Sequence, residues 1–401
     1  MDAIVLDGEQ RSALAVTRSL GRKGVKVTVG AEKIPSLSSC SRYCGKSFLY
    51  PSPYNDPVGF IRALRDFTKN SRNSILIPMT DVTLSEILLN RRELPENILI
   101  PFVDYDQYMQ VTDKIKLFQL GRDLNLPIPT TFLSTEFESH ESLIENIGKY
   151  GFPVVVKPSF SKIRTGKGWI NAGVQYAVEE RELRKILSYD IFQRFPFLVQ
   201  ERIEGPGVGI FLLMKNGEVI AKFAHRRIRE KPPSGGVSVL CESIEPPEDA
   251  MHAAVKILAQ LEWTGVAMVE FKIDREQNIA KILEVNARFW GSLQLAISSG
   301  VDFPYLLFRL ANGENFIGPD KYMIGLKSRW ELGDLDHLLI RLLKNPSNLN
   351  LSLNHPARIP LIREFLFDFF RPSVNNEILQ SGDAKPFVHE MKEYILYFFG
   401  S

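Results

Sequence analysis

The first 90 residues alternate between short apolar runs and segments with helical spacing, and this alternation restricts the fold more than any other feature. The apolar runs are 3–6, 25–29 and 74–78, and the helical segments are 12–22, 57–69 and 83–90. Strands joined by crossover helices form parallel sheets, so the pattern predicts a parallel α/β unit. The turn at Asp7 and Gly8 contains a single glycine and lacks G-x-G-x-x-G, which argues against dinucleotide binding there.

From residue 112 the pattern changes to paired strands with connecting helices. One hairpin spans 209–227 around Asn216 and Gly217, a pair typical of a type I′ turn. A second hairpin is expected from 266–274 and 280–286. These segments predict an α+β unit with mostly antiparallel strands, followed beyond about residue 320 by a helical segment.

The balance of charges limits the partners that the chain can bind. Its 49 Lys and Arg residues nearly cancel 47 Asp and Glu residues, which leaves a formal charge of +2. We therefore expect no nucleic-acid partner, and only local anion binding. Three cysteines are too few for a disulfide framework. No transmembrane segment of about 18 apolar residues and no signal peptide is recognisable, which predicts a soluble cytoplasmic protein.

The last predicted hairpin carries the strongest local signal for chemistry. Asp274 is expected to pair with Ala280 across a five-residue loop. That register places Glu270 directly opposite Glu284, with Asn286 on the same face of its strand. Facing carboxylates repel each other, and a divalent cation between them removes the conflict. Oxygen ligands without Cys or His favour Mg²⁺ or Mn²⁺. The alternative is that both glutamates lie on a solvated face.

Lys157 ends an apolar strand and precedes Pro158. A buried ammonium group is costly without a partner, and an anion such as a phosphate supplies one. The alternative is a lysine that extends to water at the edge of the sheet. The loop 159–168 adds three cations and two glycines, which suit close approach of the backbone to a phosphate. It is not a Walker A loop, and a plain solvated loop is an equally valid interpretation.

The predicted strand that begins at residue 197 runs into alternating acids and ends at Gly205. Its final residues, 200–204, can offer backbone amide and carbonyl groups to an adenine edge. A carboxylate in the same segment can bind ribose hydroxyls. The alternative interpretation is an ordinary strand end at the surface.

Three arginines stand close to a pair of glycines. Arg226, Arg227 and Arg229 are followed by Gly235 and Gly236. The planar guanidinium group binds a carboxylate or a phosphate through two parallel hydrogen bonds, so we predict that this segment binds an anionic substrate group of one of these two kinds. The glycines favour a mobile loop that closes over the substrate. A solvated run of charges is the alternative.

The order of these segments resembles the ATP-grasp superfamily. The matching motifs are TDK at 112–114, VVVKP at 154–158, VQERIEG at 199–205, MVEFK at 268–272 and LEVNAR at 283–288. The resemblance covers about residues 1–315, and VEF with LEVNAR is its most specific part. It is closest to the carboxylate–amine ligase branch, which includes D-aspartate ligase-like and carbamoyl-phosphate synthase-like proteins.

The resemblance implies a role for each matched position. Lys114 and Lys157 would contact the α- and β-phosphates of ATP, and Arg288 would stabilise the transferred phosphoryl group or the acyl-phosphate. Lys157 and Arg288 are thus the implied catalytic residues. The implied metal ligands are Glu270, Glu284 and Asn286, for Mg²⁺ (or Mn²⁺). The implied ATP-binding segment is Gln200, Glu201, Arg202, Ile203 and Glu204, with adenine at 201–203 and ribose at Glu204.

The resemblance also implies an architecture. A Rossmann-like N-terminal domain (1–111) would precede a two-lobed ATP-grasp clamp (112–197 and 198–315, the latter with the metal site) and a helical, aromatic-rich C-terminal segment (316–401). ATP would lie between the sheet of Lys157 and the sheet of Glu270 and Glu284.

The implied activity is ATP-dependent ligation of a small carboxylate to a small amine. An acyl-phosphate would be the intermediate, an amide or peptide-like bond the result, and ADP and phosphate the other products. ATP-dependent carboxylation, carbamoyl-phosphate-type chemistry and a non-catalytic ATP-binding module are the alternatives. A homodimer is compatible with the resemblance.

Aromatic residues are dense at 365–370 and 394–399. Segments of this kind mostly pack as a small helical core on the body of a protein. Docking of a partner and contact with a membrane surface are the alternatives.

Overall fold

The computed structural model describes residues 1–345, 349 and 357–399, without the side chains of 398 and 399. The rest of the predicted C-terminal segment, 346–348, 350–356, 400 and 401, lies outside the described residues. Three larger sheets and a separate hairpin, with helices packed on them, make up the described part. The mixed α/β class predicted from the sequence is confirmed. No helix in this part has the length and apolar character that a membrane span requires.

The first sheet is parallel, as the alternation of strands and helices predicted. Its strands are β1 (Asp2–Val5), β2 (Val27–Ala31), β3 (Cys44–Leu49), β4 (Ser74–Ile77) and β5 (Ile98–Leu99), in the order β3-β2-β1-β4-β5. The helices that follow them are α1 (Arg11–Arg22), α2 (Pro57–Thr68), α3 (Asp81–Leu89) and α4 (Tyr105–Thr112). The central strands β1 and β4 are almost entirely buried, as expected for a parallel sheet.

Asp7 joins the end of β1 to the start of α3. Its carboxylate accepts hydrogen bonds from Met79 N (2.8 Å), Thr80 N (2.9 Å) and Thr83 Oγ1 (2.6 Å). Burial raises the pKa of Asp7, and these donors oppose the increase. The contacts fix the first turn of α3, which carries Asp81 toward the other two sheets.

The second sheet belongs to the segment between α4 and residue 201. Its strands and the neighbouring hairpin are β6 (Thr131–Leu133), β7 (Val154–Pro158), β8 (Lys162–Thr165), β9 (Gly168–Asn171), β10 (Gln175–Ala177) and β11 (Phe197–Glu201). The helices are α5 (Lys114–Asp123), α6 (His140–Tyr150), α7 (Glu180–Leu187) and α8 (Asp190–Arg194). The sheet order is β10-β7-β11-β6, with antiparallel neighbours, and β8 pairs with β9 in a separate hairpin.

The packing of β7 determines which way Lys157 faces. Val154 and Val156 lie in a buried core with Leu143 of α6 and Leu183 of α7. Side chains alternate along a strand, so Lys157 lies on the face opposite to this core. That face is turned toward the third sheet, where the predicted metal ligands lie.

The third sheet is antiparallel over most of its width. Its strands are β12 (Gly207–Lys215), β13 (Glu218–Lys231), β14 (Val237–Ser243), β15 (Gly265–Asp274), β16 (Ile279–Asn286), β17 (Lys327–Arg329) and β18 (Val374–Asn376), in the order β16-β15-β12-β13-β14-β17-β18. The helices α9 (Glu248–Ala259), α10 (Leu293–Ser298) and α11 (Phe303–Ala311) accompany it. Strands β17 and β18 were not predicted, because three residues are too few for a period-two pattern.

The pairing of β15 with β16 departs from the prediction at its turn. Asp274 pairs with Ile279, one residue earlier than predicted. An irregularity between the two strands then leaves Leu283 as an extra residue, and Glu270 pairs with Glu284. The predicted juxtaposition of the two glutamates is therefore present, but it results from a shorter turn and a bulge that compensate each other.

The C-terminal segment packs on the body through the helices α12 (Glu331–Leu343), α13 (Arg358–Phe367) and α14 (Lys385–Phe399). Leu338, Leu361 and Phe365 form a small buried core, as expected for an aromatic-rich segment. Phe370, in contrast, is 83% exposed. The last two aromatic side chains of the predicted segment 394–399 lie outside the described residues.

Arg18 on α1 connects the first unit to the C-terminal segment. Its side chain is 1% exposed and donates to the Asp383 carboxylate at 2.8 Å. It also donates to the carbonyl oxygens of Glu377 (3.0 Å), Ile378 (2.8 Å) and Asp383 (2.8 Å). Ser41 Oγ donates to the same carboxylate at 2.7 Å, so the buried ion pair is well supplied with hydrogen bonds.

We expect Arg18→Ala to lower the free energy of unfolding by about 3–5 kcal/mol, because it leaves a buried carboxylate without its cation. Urea unfolding followed by circular dichroism measures the change. Arg22→Ala is the control: this exposed arginine of the same helix reaches Gln380 at 2.7 Å, and its loss is expected to cost at most about 0.5 kcal/mol. Equal losses in the two variants would contradict the prediction.

Candidate active site

Lys114 lies between the second and third sheets, at the first position of α5. Its Nζ is 3.0 Å from Ser161 Oγ and 3.9 Å from a carboxylate oxygen of Glu284. Its backbone N–H donates to Ser159 O at 3.0 Å, which fixes the start of the helix against the loop after β7. With 6% of its surface exposed, this lysine is held in place and is not a solvated side chain.

Lys157 is the second cation of the site. Burial lowers its pKa to about 8, while the Glu284 carboxylate opposes the decrease and the Lys114 ammonium adds to it. Loss of hydration therefore disfavours the charged form of this ammonium group, and the nearby carboxylates favour it. The sequence analysis predicted that an anionic group lies near this lysine, and the carboxylates of Glu284 and Glu270 are such groups.

Glu270 and Glu284 face each other across β15 and β16. Burial raises the pKa of Glu270, and Arg227, whose guanidinium lies 2.5 Å from its carboxylate, opposes the increase. Burial acts in the same direction on Glu284, but Lys114 and Lys157 outweigh it and leave the pKa of Glu284 lowered. A divalent cation between the two would favour full ionisation of both.

The donor atoms of this pair fit a hard divalent cation. Asn286 Nδ2 donates to Glu284 Oε1 at 3.3 Å, and Asn286 Oδ1 accepts from Arg288 at 3.1 Å. The three predicted ligands, Glu270, Glu284 and Asn286, thus lie together and offer oxygen atoms. In the described part of the chain no three His, Cys, Asp or Glu residues form a metal cluster. Two carboxylates completed by substrate phosphates are typical of Mg²⁺ sites.

Arg288 follows β16 and joins the site to the first unit. Its guanidinium donates to Asp81 Oδ2 at 2.8 Å and to Phe289 O at 3.0 Å. Its Nε is buried and has no hydrogen-bond partner among the described residues. Arg288 therefore lies beside the predicted metal ligand Asn286, as expected, and its partner Asp81 adds a carboxylate of α3 to the site.

Glu201, at the end of β11, is held by three donors. Its carboxylate accepts from Lys281 Nζ (2.6 Å), Tyr150 Oη (2.8 Å) and Thr130 N (3.0 Å). Burial raises its pKa, but these donors outweigh it and the net direction is downward. A ligand would therefore meet this segment mainly through its backbone.

The other residues of the predicted ATP-binding segment have partners of their own. Gln200 is buried and donates to Thr131 Oγ1 at 2.8 Å. Arg202 forms an ion pair with Glu204 at 2.8 Å. Ile203 O accepts from Lys272 Nζ at 3.1 Å. The segment lies along one side of the space between the sheets, and its role in binding ATP stays a prediction.

Arg227 lies next to the predicted metal ligands. Besides Glu270, it contacts the Glu230 carboxylate at 2.8 Å and the carbonyl oxygen of Gly236 at 3.2 Å. Gly235 has a φ of 126°, a conformation that favours glycine. Arg227 therefore connects the loop of the two glycines to Glu270, and both glycines border the site.

The other two arginines of this segment point elsewhere. Arg226 pairs with Glu242 at 2.5 Å, and 55% of its side chain is exposed. Arg229 is 5% exposed and pairs with Asp334 (2.7 Å) and Asp368 (2.6 Å). Alternation and bulges in β13 separate the three guanidinium groups. The predicted substrate binding by Arg226 and Arg229 does not fit these positions, because Arg226 faces solvent and Arg229 anchors the C-terminal helices.

The β8–β9 hairpin rests on the first unit. Glu86 of α3 is 1% exposed and accepts from Arg164 Nε (2.7 Å) and Trp169 Nε1 (2.9 Å). Trp169 N donates to Tyr54 O at 2.8 Å. Gly168 has a φ of 112°, and a Cβ there would lie 2.1 Å from Tyr54 O, so the contact requires glycine. The loop 159–168, which the sequence predicted to approach a phosphate, is therefore held against the first unit by these contacts.

The sequence interpretation did not identify Glu86 and Asp81. Glu86 has a usable signal, since it is a charged residue in the otherwise buried helix α3, and such residues are rarely buried unless paired. Asp81 has none, because an acid in the first turn of a helix is common for electrostatic reasons alone.

An amine with a pKa near 8 becomes nucleophilic at a pH at which an ordinary lysine, near 10.5, is still charged. We expect labelling of Lys157 by acetic anhydride, read by mass spectrometry, to increase with a midpoint near pH 8. Glu284→Gln removes a carboxylate that favours the ammonium form, so the midpoint should move to lower pH.

Glu218→Gln is the matched control: this exposed residue begins β13, is not among the groups that shift the pKa of Lys157, and its substitution should leave the midpoint unchanged. A wild-type midpoint near 10.5, or a midpoint that does not respond to Glu284→Gln, would show that the environment of Lys157 differs from this description.

Glu86→Gln should loosen the β8–β9 hairpin, because a neutral amide replaces the carboxylate that holds Arg164 and Trp169. A local loss of about 1–2 kcal/mol corresponds to about 5–30-fold faster cleavage of the hairpin by trypsin under native conditions. Mass spectrometry of the fragments measures the rate. Glu93→Gln, which removes an exposed carboxylate 3.6 Å from Arg65, is the control. Equal cleavage rates in both variants would contradict the prediction.

Comparison with known proteins gives independent information about this arrangement. Residues 193–330 match a family model described as "ATP-grasp in the biosynthetic pathway with Ter operon". The chain is 22% identical over 245 residues to D-aspartate ligase of Enterococcus faecium (strain Aus0004), which covers 58% of each chain. It is 28% identical over 191 residues to the carbamoyl phosphate synthase large chain of Methanobrevibacter smithii, over 45% of this chain and 17% of the relative.

The fold is similar to that of solved structures. The biotin carboxylase β,γ-ATP complex from Campylobacter jejuni superposes with a TM-score of 0.64 at 15% identity, over 81% of this chain and 74% of that one. This likeness concerns the fold, and the chain spans little more than half of the curated ligase it matches. The resemblance to the ATP-grasp superfamily, and within it to D-aspartate ligase and carbamoyl phosphate synthase, is therefore confirmed.

Proposed function

We propose that this chain is an ATP-dependent carboxylate–amine ligase that forms an amide or peptide-like bond through an acyl-phosphate and releases ADP and phosphate. The observation that carries the proposal is the pair of facing acids, Glu270 and Glu284, with Lys114, Lys157 and Arg288 around it. The similarity to D-aspartate ligase supports ligation as the reaction class.

ATP and Mg²⁺ are the cofactors that these residues suit. Glu270, Glu284 and Asn286 would hold the ion, and Lys114 and Lys157 would contact the phosphates. When bound, Mg²⁺ offsets negative charge on the nucleotide phosphates. The backbone at 201–203 would receive the adenine and Glu204 the ribose. Because Glu201 is occupied by three donors, its side chain would shape this segment and the main chain would contact the base.

The chemistry requires positioning and charge compensation. A carboxylate oxygen of the substrate attacks the γ-phosphorus of ATP, the bond to the β,γ-bridging oxygen breaks, and ADP leaves. An amine then attacks the acyl carbon, and phosphate leaves as the amide forms and the amine loses a proton. Arg288 would stabilise the transferred phosphoryl group and Lys157 would contact the phosphates, so these two remain the proposed catalytic residues.

Arg227 holds the Glu270 carboxylate and the Gly236 carbonyl at once, so it is the one arginine of its segment that we retain near the substrate, with Gly235 and Gly236 as the bordering loop. Small carboxylate and amine substrates, a homodimer and a cytoplasmic location remain predictions.

A second candidate is chemistry in which bicarbonate is the acid. The similarity to carbamoyl phosphate synthase favours it. Incorporation of labelled bicarbonate into a product, with no response to amines, would select this candidate over the ligase.

Glu284→Gln should reduce turnover by about 100-fold or more, because it removes a charged ligand at the position where charge develops. The assay measures phosphate released from Mg-ATP with a panel of amino acids and carboxylic acids, and identifies the nucleotide product. The control is Glu218→Gln, which alters an exposed carboxylate at the start of β13 and should retain wild-type rates.

Wild-type rates in Glu284→Gln would remove the assignment of the metal site. Formation of AMP and pyrophosphate would rule out the acyl-phosphate route. ATP binding without phosphate release across a broad panel would favour a non-catalytic ATP-binding module.

A further inference from the structure

A cavity of about 420 Å³ lies between α3, α4, the β8–β9 hairpin and the end of β16. Its apolar wall includes Tyr105, Tyr108, Met109, Phe160, Trp169 and Phe195. The volume is within the range of small-molecule sites, about 300–1,000 Å³. Five aromatic rings suit an apolar or aromatic group, and they offer little to a phosphate.

The polar end of the cavity opens on the candidate active site. Lys114, Glu284, Asn286 and Arg288 line it there. None of the residues 200–204, which are assigned to adenine and ribose, lines it. A nucleotide that extends from that segment to Glu284 would therefore leave the aromatic end of the cavity free for a second molecule.

The wall at the polar end presents both signs of charge. The ion pair of Asp81 and Arg288 lies there, with 34% and 21% of the side chains exposed. The Asp81 carboxylate has further acceptor sites, and Arg288 Nε is a buried donor without a partner among the described residues. Such a pair complements a molecule that carries an ammonium and a carboxylate on neighbouring atoms.

We infer that this cavity binds an α-amino acid with a large apolar or aromatic side chain. Its ammonium faces Asp81, its carboxylate faces Arg288, and its side chain fills the aromatic wall. The inference rests on the proposed function and names the substrate class of the same site. It places the reacting end of the amino acid beside Glu284 and Lys114, where the phosphoryl group would be transferred.

The β8–β9 hairpin closes the cavity on one side. Trp169 forms part of the wall and donates to Glu86 at 2.9 Å, so the contact that fastens the hairpin also positions an aromatic ring. The amino acid side chain is therefore expected to lie under this hairpin, shielded from water.

Isothermal titration of the protein saturated with Mg²⁺ and AMP-PNP tests the inference. L-Phenylalanine is expected to bind about tenfold or more tightly than glycine, since burial of an aromatic side chain is worth at least that factor. 3-Phenylpropionate and phenethylamine, which each lack one of the two charged groups, should bind at least about tenfold more weakly than L-phenylalanine.

Met109→Trp places a larger side chain in the wall and should weaken L-phenylalanine binding at least about tenfold, while AMP-PNP binding changes by less than about twofold. Met323→Trp is the matched control, since Met323 is 56% exposed and does not line the cavity. It should change neither affinity. The comparison of ligands on the wild-type protein tests the inference even if Met109→Trp does not fold.

Equal affinity for glycine and L-phenylalanine would overturn the inference. So would an affinity for 3-phenylpropionate or phenethylamine equal to that for L-phenylalanine. Unchanged L-phenylalanine binding in Met109→Trp would do the same. If AMP-PNP binds and no amino acid does, the inference fails and the proposed nucleotide site survives. Absence of AMP-PNP binding would overturn both.

Discussion

The repulsion between Glu270 and Glu284 is the constraint on which the candidate site depends. A sheet ordinarily avoids facing carboxylates, and this sheet surrounds them with Arg227 on one side and Lys114 and Lys157 on the other. Burial lowers the pKa of Lys157, and repulsion from the Lys114 ammonium lowers it further. The charges are therefore interdependent. Bound Mg²⁺ and a polyphosphate would complete the pattern by adding one large positive and one large negative charge between groups that already match them.

The first unit contributes to this site through two buried acids, Asp7 and Glu86, and through the partly exposed Asp81. Asp7 fixes the start of α3, and α3 then presents Asp81 to Arg288 and Glu86 to the β8–β9 hairpin. A buried carboxylate is costly unless it is paired, so Glu86 favours the docked position of the β8–β9 hairpin. The position of the hairpin and the ion pair of Arg288 thus depend on a unit that contains none of the proposed catalytic residues.

Local patterns predicted the elements of the fold well, because apolar periodicity and turn residues act over short distances. They predicted β1, β2 and β4 of the first sheet, but not β3 and β5, and they predicted the lysine at the end of β7 and the facing glutamates. They did not predict β17 and β18, which exist only because the third sheet offers an edge. The glutamate register was right although the predicted turn was one residue too long, since the bulge at Leu283 restores the alternation that the turn displaces. Asp81 reaches Arg288 from 207 residues away, and no local pattern encodes that distance.

The arginines of β13 show why charge density alone does not locate a substrate. Arg226, Arg227 and Arg229 are neighbours in sequence, yet one is paired at the surface, one holds a predicted metal ligand and one is buried under the C-terminal helices. The pleat and two bulges of the strand distribute them among three environments. An arginine acts on a substrate only where its partners leave donors free and its surroundings admit a ligand. Arg288 meets both conditions beside an aromatic cavity, and for that reason the aromatic cavity, rather than the run of arginines, indicates which substrate the site would select.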